Sequence, residues 1–428
     1  MTEPTSVAAD TSPRAGLGRF LRGSLGSGLA VGARTAGALL LNKLLAVYGG
    51  PGGLTLLAHF QNLMALFTTL PNDGVNVGVV KYLAPLSPQA RRYRGWLGAG
   101  VVLTAGAVLA GALALVLVPG PLVGVFRPSE SWVALFAFGI ALLTAYTFLV
   151  SVLLAAGKLR AYIGLTVGLS IIGVAVVGGV LTAGWPVEQA LLAYLLAQGT
   201  MLLPAWALTS RHGLLPCLPG RISPAALRGL GRYLLMALSL LVFSKGVDFV
   251  QRDVLMARFG LAQTDLWQAV AKLSDNYTMV FSAVMGSVYF PRLSALAGQA
   301  GPLRAYVRSV LLLLAPTLAV GFGMLFLLRH VLLTVLFDQH FAEAQSLLAP
   351  QFIGDWAKFL TWTLLFLLTA RAQVGRYVAV QAGSAVLYAG LLIVLLPRLG
   401  LIGVPVAHAV RFGLLLLGCG LYFRRYLR

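Results

Sequence analysis

Apolar residues in this chain are gathered into twelve blocks, near residues 28–48, 55–80, 96–118, 132–156, 161–182, 189–210, 233–258, 265–290, 304–328, 347–370, 376–397 and 401–423. A block of roughly 20 residues, coiled as a helix, spans the ~30 Å hydrocarbon core of a bilayer. The pattern therefore predicts an all-α polytopic membrane protein with twelve transmembrane helices. The longest connection, 211–231, is rich in Pro and Gly and lies almost at the midpoint of the 428 residues. It divides the chain into an interfacial start (1–27), a first lobe (28–210), a linker (211–231) and a second lobe (232–428). Sliding the second half over the first by 211 residues lays Arg34 on Lys245, Tyr48-Gly49 on Phe259-Gly260, Lys81 on Arg292 and Arg160 on Arg371. An even number of spans separates these matches, so the two six-helix lobes keep one orientation. They are expected to be related by a pseudo-two-fold along the membrane normal, around a V-shaped central cavity.

Composition sharpens this picture. The chain is 59% hydrophobic and 10% charged, with a mean hydropathy of +0.87. Its net charge of +20 would suggest nucleic acid as the partner of a soluble protein. Here, however, the cations gather in alternate connections. Twenty-one Lys and Arg lie on the side of the N-terminus, and only Arg127, Arg258, Arg329 and Arg398 on the other. Such asymmetry predicts that both termini are cytoplasmic, in a cell inner membrane, and excludes nucleic acid as a partner. Residues 1–27 carry no secretory signal; RAGLGRFLRGS reads as a basic segment against the inner leaflet. Cys217 and Cys419 lack metal-ligand spacing and read as structural thiols. No P-loop, HExxH motif, nucleophile elbow or large loop is present, so no catalytic residue, metal or cofactor is expected and the chain is read as not an enzyme.

Seven cations remain inside the apolar blocks: Arg34, Lys43, Lys245, Arg252, Lys272, Lys358 and Arg411. A charge at mid-bilayer costs at least ~2.5 kcal/mol on insertion scales, so each must face a partner, water or a ligand. Lys245–Asp248, Asp248–Arg252, Lys272–Asp275 and Asp355–Lys358 have the i,i+3 or i,i+4 spacing of intrahelical ion pairs. Arg34 and Arg411 sit in blocks without an acid and need partners from elsewhere, an anionic ligand among them. Lys43 is near the outer end of its block and can snorkel. A mixture of guanidinium forks and compact ammonium groups suits a diphosphate. Asp73, which follows the helix-distorting Pro71, together with Asp275 and Asp355, are the candidate acids for coupling to H⁺ or Na⁺. His408 reads as a packed hydrogen-bonding group. Sugar hydroxyls would be met by Gln61, Asn62, Trp267, Asn276, Tyr277 and Trp362.

Four stretches carry a family resemblance: 37–67 (GALLLNKLLAVYGGPGGLTLLAHFQNLMALF), 76–85 (NVGVVKYLAP), 265–296 (DLWQAVAKLSDNYTMVFSAVMGSVYFPRLSAL) and 347–372 (LLAPQFIGDWAKFLTWTLLFLLTARA). They resemble the polysaccharide-flippase (Wzx-type) branch of the multidrug/oligosaccharidyl-lipid/polysaccharide exporter superfamily, whose members include translocases of lipid III (the enterobacterial common antigen unit) and of O-antigen units. The resemblance implies a transporter that flips an undecaprenyl-diphosphate-linked oligosaccharide from the cytoplasmic to the periplasmic leaflet, by alternating access around a cationic cavity. It further implies that Arg34, Lys245, Arg252, Lys272 and Lys358 line that cavity, that Lys81 stands at its cytoplasmic mouth, and that Asp275 and Asp355 match family acids. Asp73 has no counterpart. A polysaccharide polymerase and chain-length machinery are the implied protein partners. The rival readings are a cation-coupled drug antiporter of the same superfamily and, from another class, a membrane enzyme acting on polyprenyl-linked sugars. The first would show unpaired acids in the cleft, and the second an essential acid pair.

Overall fold

In the computed structural model, which describes residues 32–215, 223–296, 298–371 and 373–424, each apolar block is helical and no strand occurs among the described residues. Twelve spans follow one another. Span α1 covers 32–48. Span α2 joins Gly53–Thr69, a π-turn at Leu70–Asn76 and Val77–Leu83 into one rod. Then come α3 (Arg91–Leu117), α4 (Glu130–Ala155), α5 (Leu159–Thr182) and α6 (Val187–Thr200 continued by Leu202–Arg211). Span α7 comprises Pro224–Leu240, a π-turn at Leu241–Gly246 and the first part of Val247–Val284. At Gly260 the backbone turns (φ 74°), and the remainder of that stretch, with Met285–Tyr289 and Phe290–Ala295, forms α8. Spans α9 (Ala300–Leu327), α10 (Gln345–Ala370), α11 (Val374–Leu399) and α12 (Gly403–Tyr422) complete the bundle. The interfacial start, Cys217 and the centre of the linker lie outside the described residues.

The spans form two lobes. Span α4 packs on α2, α3, α5 and α6, while α10 packs on α8, α9, α11 and α12; α2 and α3 meet α7 and α8 across the boundary. Hydrocarbon gives helices no hydrophobic reason to associate, so close packing and hydrogen bonds must hold them. Gly74 and Gly78, one turn apart on α2, supply the closest approach. A Cβ on Gly78 would lie 2.5 Å from Leu230 of α7, and one on Gly74 3.2 Å from Ala237. Within the first lobe, Phe126, Trp132 and Phe136 stack at 5.5 and 5.4 Å, and Phe60 meets all three edge-on. The second lobe has its own aromatic centre in Tyr277, Phe322, Phe352 and Phe359.

The π-turns occur where the chemistry is. Pro71 cannot donate an amide hydrogen, and α2 widens around it, placing Asp73 on the widened turn. The second π-turn carries Lys245.

Candidate functional site: a cationic cavity between the lobes

A cavity of about 700 Å³ is lined by α2, α7, α8, α10, α11 and α12. Lys245, Arg252, Lys272, Lys358 and Arg411 contribute five cations to its wall, against the carboxylates of Asp73, Asp248 and Asp275. It extends from Ala58 and Trp267, within about two turns of the starts of α2 and α8, to Tyr377, in the first turn of α11, on the side where the described chain begins and ends. Gln61, Asn62, Trp267 and Trp362 line it as well.

Of the four ion pairs that spacing suggests, only Lys358–Asp355 closes, at 3.3 Å. Arg252, Lys272 and Arg411 are held by neutral groups. Arg252 donates from Nε to Gln268 Oε1 at 2.9 Å; with the amide oxygen of Asn62 turned toward α7, its Nη1 donates there at 2.9 Å too. The guanidinium also lies 6.0 Å from the Trp267 ring. Lys272 donates to Gln61 Oε1 of the other lobe. Arg411 donates to Ser384 Oγ at 2.6 Å and lies over the rings of Tyr388 (5.0 Å) and Phe412 (4.8 Å). Lys245 has no carboxylate within 4 Å among the described residues. A π-turn takes more than 3.6 residues per revolution, so its spacing to Asp248 no longer brings the two side chains to one face. Cations fixed by dipoles and rings keep their charge available to an incoming anion.

Asp355 lies behind the wall rather than in it. Fully buried, it accepts from Ser274 Oγ (2.7 Å), Gln351 Nε2 (3.0 Å), Lys358 Nζ (3.3 Å) and the Tyr277 hydroxyl, and it pairs with His408 Nε2 at 3.0 Å. Close approach of α10 and α12 makes this possible: a Cβ on Gly354 would meet His408 Cδ2 at 2.3 Å and the Ala409 backbone at 3.0 Å. The hub leaves Lys358 anchored, with a further bond to Thr278 Oγ1 at 2.9 Å.

Three sequence expectations are modified. Arg34 lies on an exposed face of α1, within Coulombic reach of Tyr146 and Tyr194, and is absent from the cavity wall. Residues expected to meet the cargo lie on the first, second, seventh, eighth, tenth and twelfth spans; α1 contributes no wall residue, and α11 does. Asn276 and Tyr277 were expected to meet sugar, yet Tyr277 serves Asp355 and neither lines the cavity. Asp73 and Asp275 do line it. Lys81 is exposed near the end of α2, over the rings of Tyr233 (5.5 Å) and Tyr82 (5.7 Å). Lys43 reaches Thr334 O at 3.4 Å, near the end remote from residue 32. Outside the spans, Asp338 is held below the usual carboxylate range by the N–H of Gln339 and by His340, 3.1 Å away.

A second, apolar groove of about 1180 Å³ runs between α2–α3 and α7–α11, along Phe67, Ala110, Val250 and Ile393. It shares Val247 and Gln251 with the cationic cavity.

No family model matches the chain. The lipid III flippase of Escherichia coli (strain K12) is 28% identical over 386 residues, covering 87% of this chain and 91% of that protein. Among solved structures, the lipid II flippase MurJ in an inward closed conformation superposes with a TM-score of 0.68 (13% identity, 95% of this chain and 89% of that one). A multidrug resistance MATE family transporter of the MOP superfamily, inward-facing, gives 0.71 (11% identity, 92% and 94%). The chain shares the twelve-helix, two-lobe fold of these transporters and is a multi-pass membrane protein.

Within the stretches quoted from the sequence, G-D-W-A-K supplies the Asp355–Lys358 hub and W-Q-x-x-x-x-L-S-D supplies Trp267, Gln268, Ser274 and Asp275. Sequence reasoning did not single out Ser384 or Tyr388, which hold Arg411 from α11. A polar residue one helical turn from an aromatic one on α11 was the available signal.

Proposed function

We propose that this protein belongs to the multidrug/oligosaccharidyl-lipid/polysaccharide exporter (MOP) superfamily and flips an undecaprenyl-diphosphate-linked oligosaccharide, of the lipid III or O-antigen type, from the cytoplasmic to the periplasmic leaflet of the cell inner membrane. One observation carries the reading: five cations face a single cavity, and among the described residues only Lys358 has a carboxylate within 4 Å, which suits a diphosphate. The five cations outnumber the wall carboxylates Asp73, Asp248 and Asp275, so an organic-cation cargo would meet a net positive wall. In this reading both termini are cytoplasmic, residues 28–210 and 232–428 are the rocking lobes, and the cavity takes its load from the cytoplasmic side. Lys81 would meet the headgroup at that mouth, and Arg34 from the α1 side. The polyprenyl tail would lie in the apolar groove that opens onto the cavity through Val247 and Gln251. Asp73 and Asp275, exposed on the wall, are the acids open to a coupling ion; Asp355 is already saturated by donors. A polysaccharide polymerase and its chain-length partner would consume the product outside.

The protein lowers the cost of carrying a charged, hydrated headgroup through hydrocarbon by offering fixed cations in a wet gap. The test is reconstitution into liposomes with a fluorescent lipid-diphosphate oligosaccharide and an impermeant quencher. Flipping by the intact protein and its loss in Arg252→Gln/Lys272→Gln, at equal insertion, support the proposal; equal flipping by both removes it.

A further inference from the structure

Beside the cavity, toward the end remote from residue 32, three buried polar atoms have no hydrogen-bond partner: both ring nitrogens of His59, and Gln268 Nε2. Their residues are no more than 1% exposed. His59 belongs to α2 and Gln268 to α8, so the group straddles the lobe boundary. Leaving such atoms buried and unpaired is unfavourable, and apolar residues of like shape would serve packing better. The groups are explained by a second state in which they are wet.

What keeps them dry is a contact between the lobes. Asp265 of α8, 3% exposed, accepts from the N–H of Thr55 at 2.6 Å and from the N–H of Gly52 at 2.7 Å, capping the start of α2 from the opposite lobe. Gly52 holds φ 95°, and a Cβ there would lie 2.6 Å from Leu261 Cβ, so the seam closes only around glycine. Beneath it the His59 ring stacks on Phe249 of the second lobe at 4.5 Å and on Phe126 of the first at 5.7 Å. The cap exists only while the lobes touch. Their separation frees the α2 amides and the Asp265 carboxylate together.

We infer that His59 and Gln268 form an occluded second station for the polyhydroxylated part of the cargo, and that Asp265 on the α2 terminus is the latch that closes it. Imidazole and amide groups match sugar hydroxyls, which both donate and accept. Arg252 connects the two stations, since it lines the cavity and binds Gln268 Oε1. The inference rests on the flippase reading, but its first test needs no cargo.

In a background with Cys217 and Cys419 replaced, His59→Cys or Gln268→Cys is exposed to an impermeant maleimide from the periplasmic side. Labelling is expected to be slow with Asp265 intact and at least about tenfold faster with Asp265→Asn or Asp265→Ala, while a cysteine at the exposed Trp185 labels equally in all. Equal labelling with and without Asp265, or access only from the cytoplasmic side, overturns the latch. In the second test, His59→Phe/Gln268→Leu keeps the shape and removes the unpaired atoms. Unfolding temperature should hold or rise while flipping falls at least about tenfold; flipping at the unmodified rate overturns the station. Failure of the parent protein to flip the lipid, with the latch labelling as expected, would count against the proposed function alone.

Discussion

Replacement of Asp355 by Asn is the most demanding test of how the cavity is built. The substitution keeps the volume but swaps one charged acceptor for an NH₂ group facing donors. Lys358, 9% exposed, then loses its carboxylate, and Ser274, Gln351, Tyr277 and His408 compete for one remaining oxygen. Breaking a buried ion pair by removing one member costs about 3–5 kcal/mol. The donors left behind add to this only in part, because they share one centre. We take about 4 kcal/mol. Unfolding entropy scales with chain length, and for a chain of this size it converts each kcal/mol into roughly 1 °C. The expected fall is thus about 4 °C. The readout, in a Cys217→Ser background, is a fluorogenic thiol reagent that reacts with Cys419, 7% exposed, only as the bundle opens on heating. Asp355→Asn/Lys358→Met should regain about half the loss, since no unpaired cation remains. An Asn variant within about 1 °C of the parent, or a double variant no better than the single one, refutes the reasoning and returns Asp355 to the list of coupling acids.

Other outcomes follow from the same geometry. Gly354→Ala forces its Cβ against His408 and the Ala409 backbone, an overpacking cost of about 1–3 kcal/mol read by the same thermal assay. Gly78→Leu, which drives a side chain into Leu230 and Tyr233, should separate α2 from α7 and lower the yield of folded protein in size-exclusion chromatography. A photocrosslinking residue at Val250, in the apolar groove, should capture a polyprenyl-diphosphate lipid in preference to phospholipid. At the exposed Val320 of α9 it should capture both alike.

The fold was legible because hydropathy reports a physical boundary. Each apolar block must span the same hydrocarbon thickness, and the expected block at 347–370 matches Gln345–Ala370 within two residues. The chemistry was less so. Lys358–Asp355 follows from i,i+3 spacing on a regular helix, whereas Lys245–Asp248 fails because a π-turn intervenes. Arg34 carried no directional signal, as its block is apolar on every side, so no amphipathic stripe marks which face meets the cavity. Asp265 stood inside a quoted motif without being marked, since its partners are backbone amides of Gly52 and Thr55, and a backbone donor leaves no trace in a list of residue types. His408 was read as a packed hydrogen-bonding group, and it has that role against Asp355.

The central claim is that unpaired cations between the lobes recognise a lipid diphosphate. Equilibrium binding of undecaprenyl diphosphate to the detergent-solubilised protein, compared with the monophosphate and followed against salt, tests it directly. Each charge-assisted contact contributes about 1.5–3 kcal/mol, so the diphosphate should bind at least about tenfold tighter. Added salt should weaken it, and Arg252→Gln/Lys272→Gln should bind at least about a hundredfold more weakly. Equal affinity for the two phosphates, or for the parent and the double variant, would contradict the account.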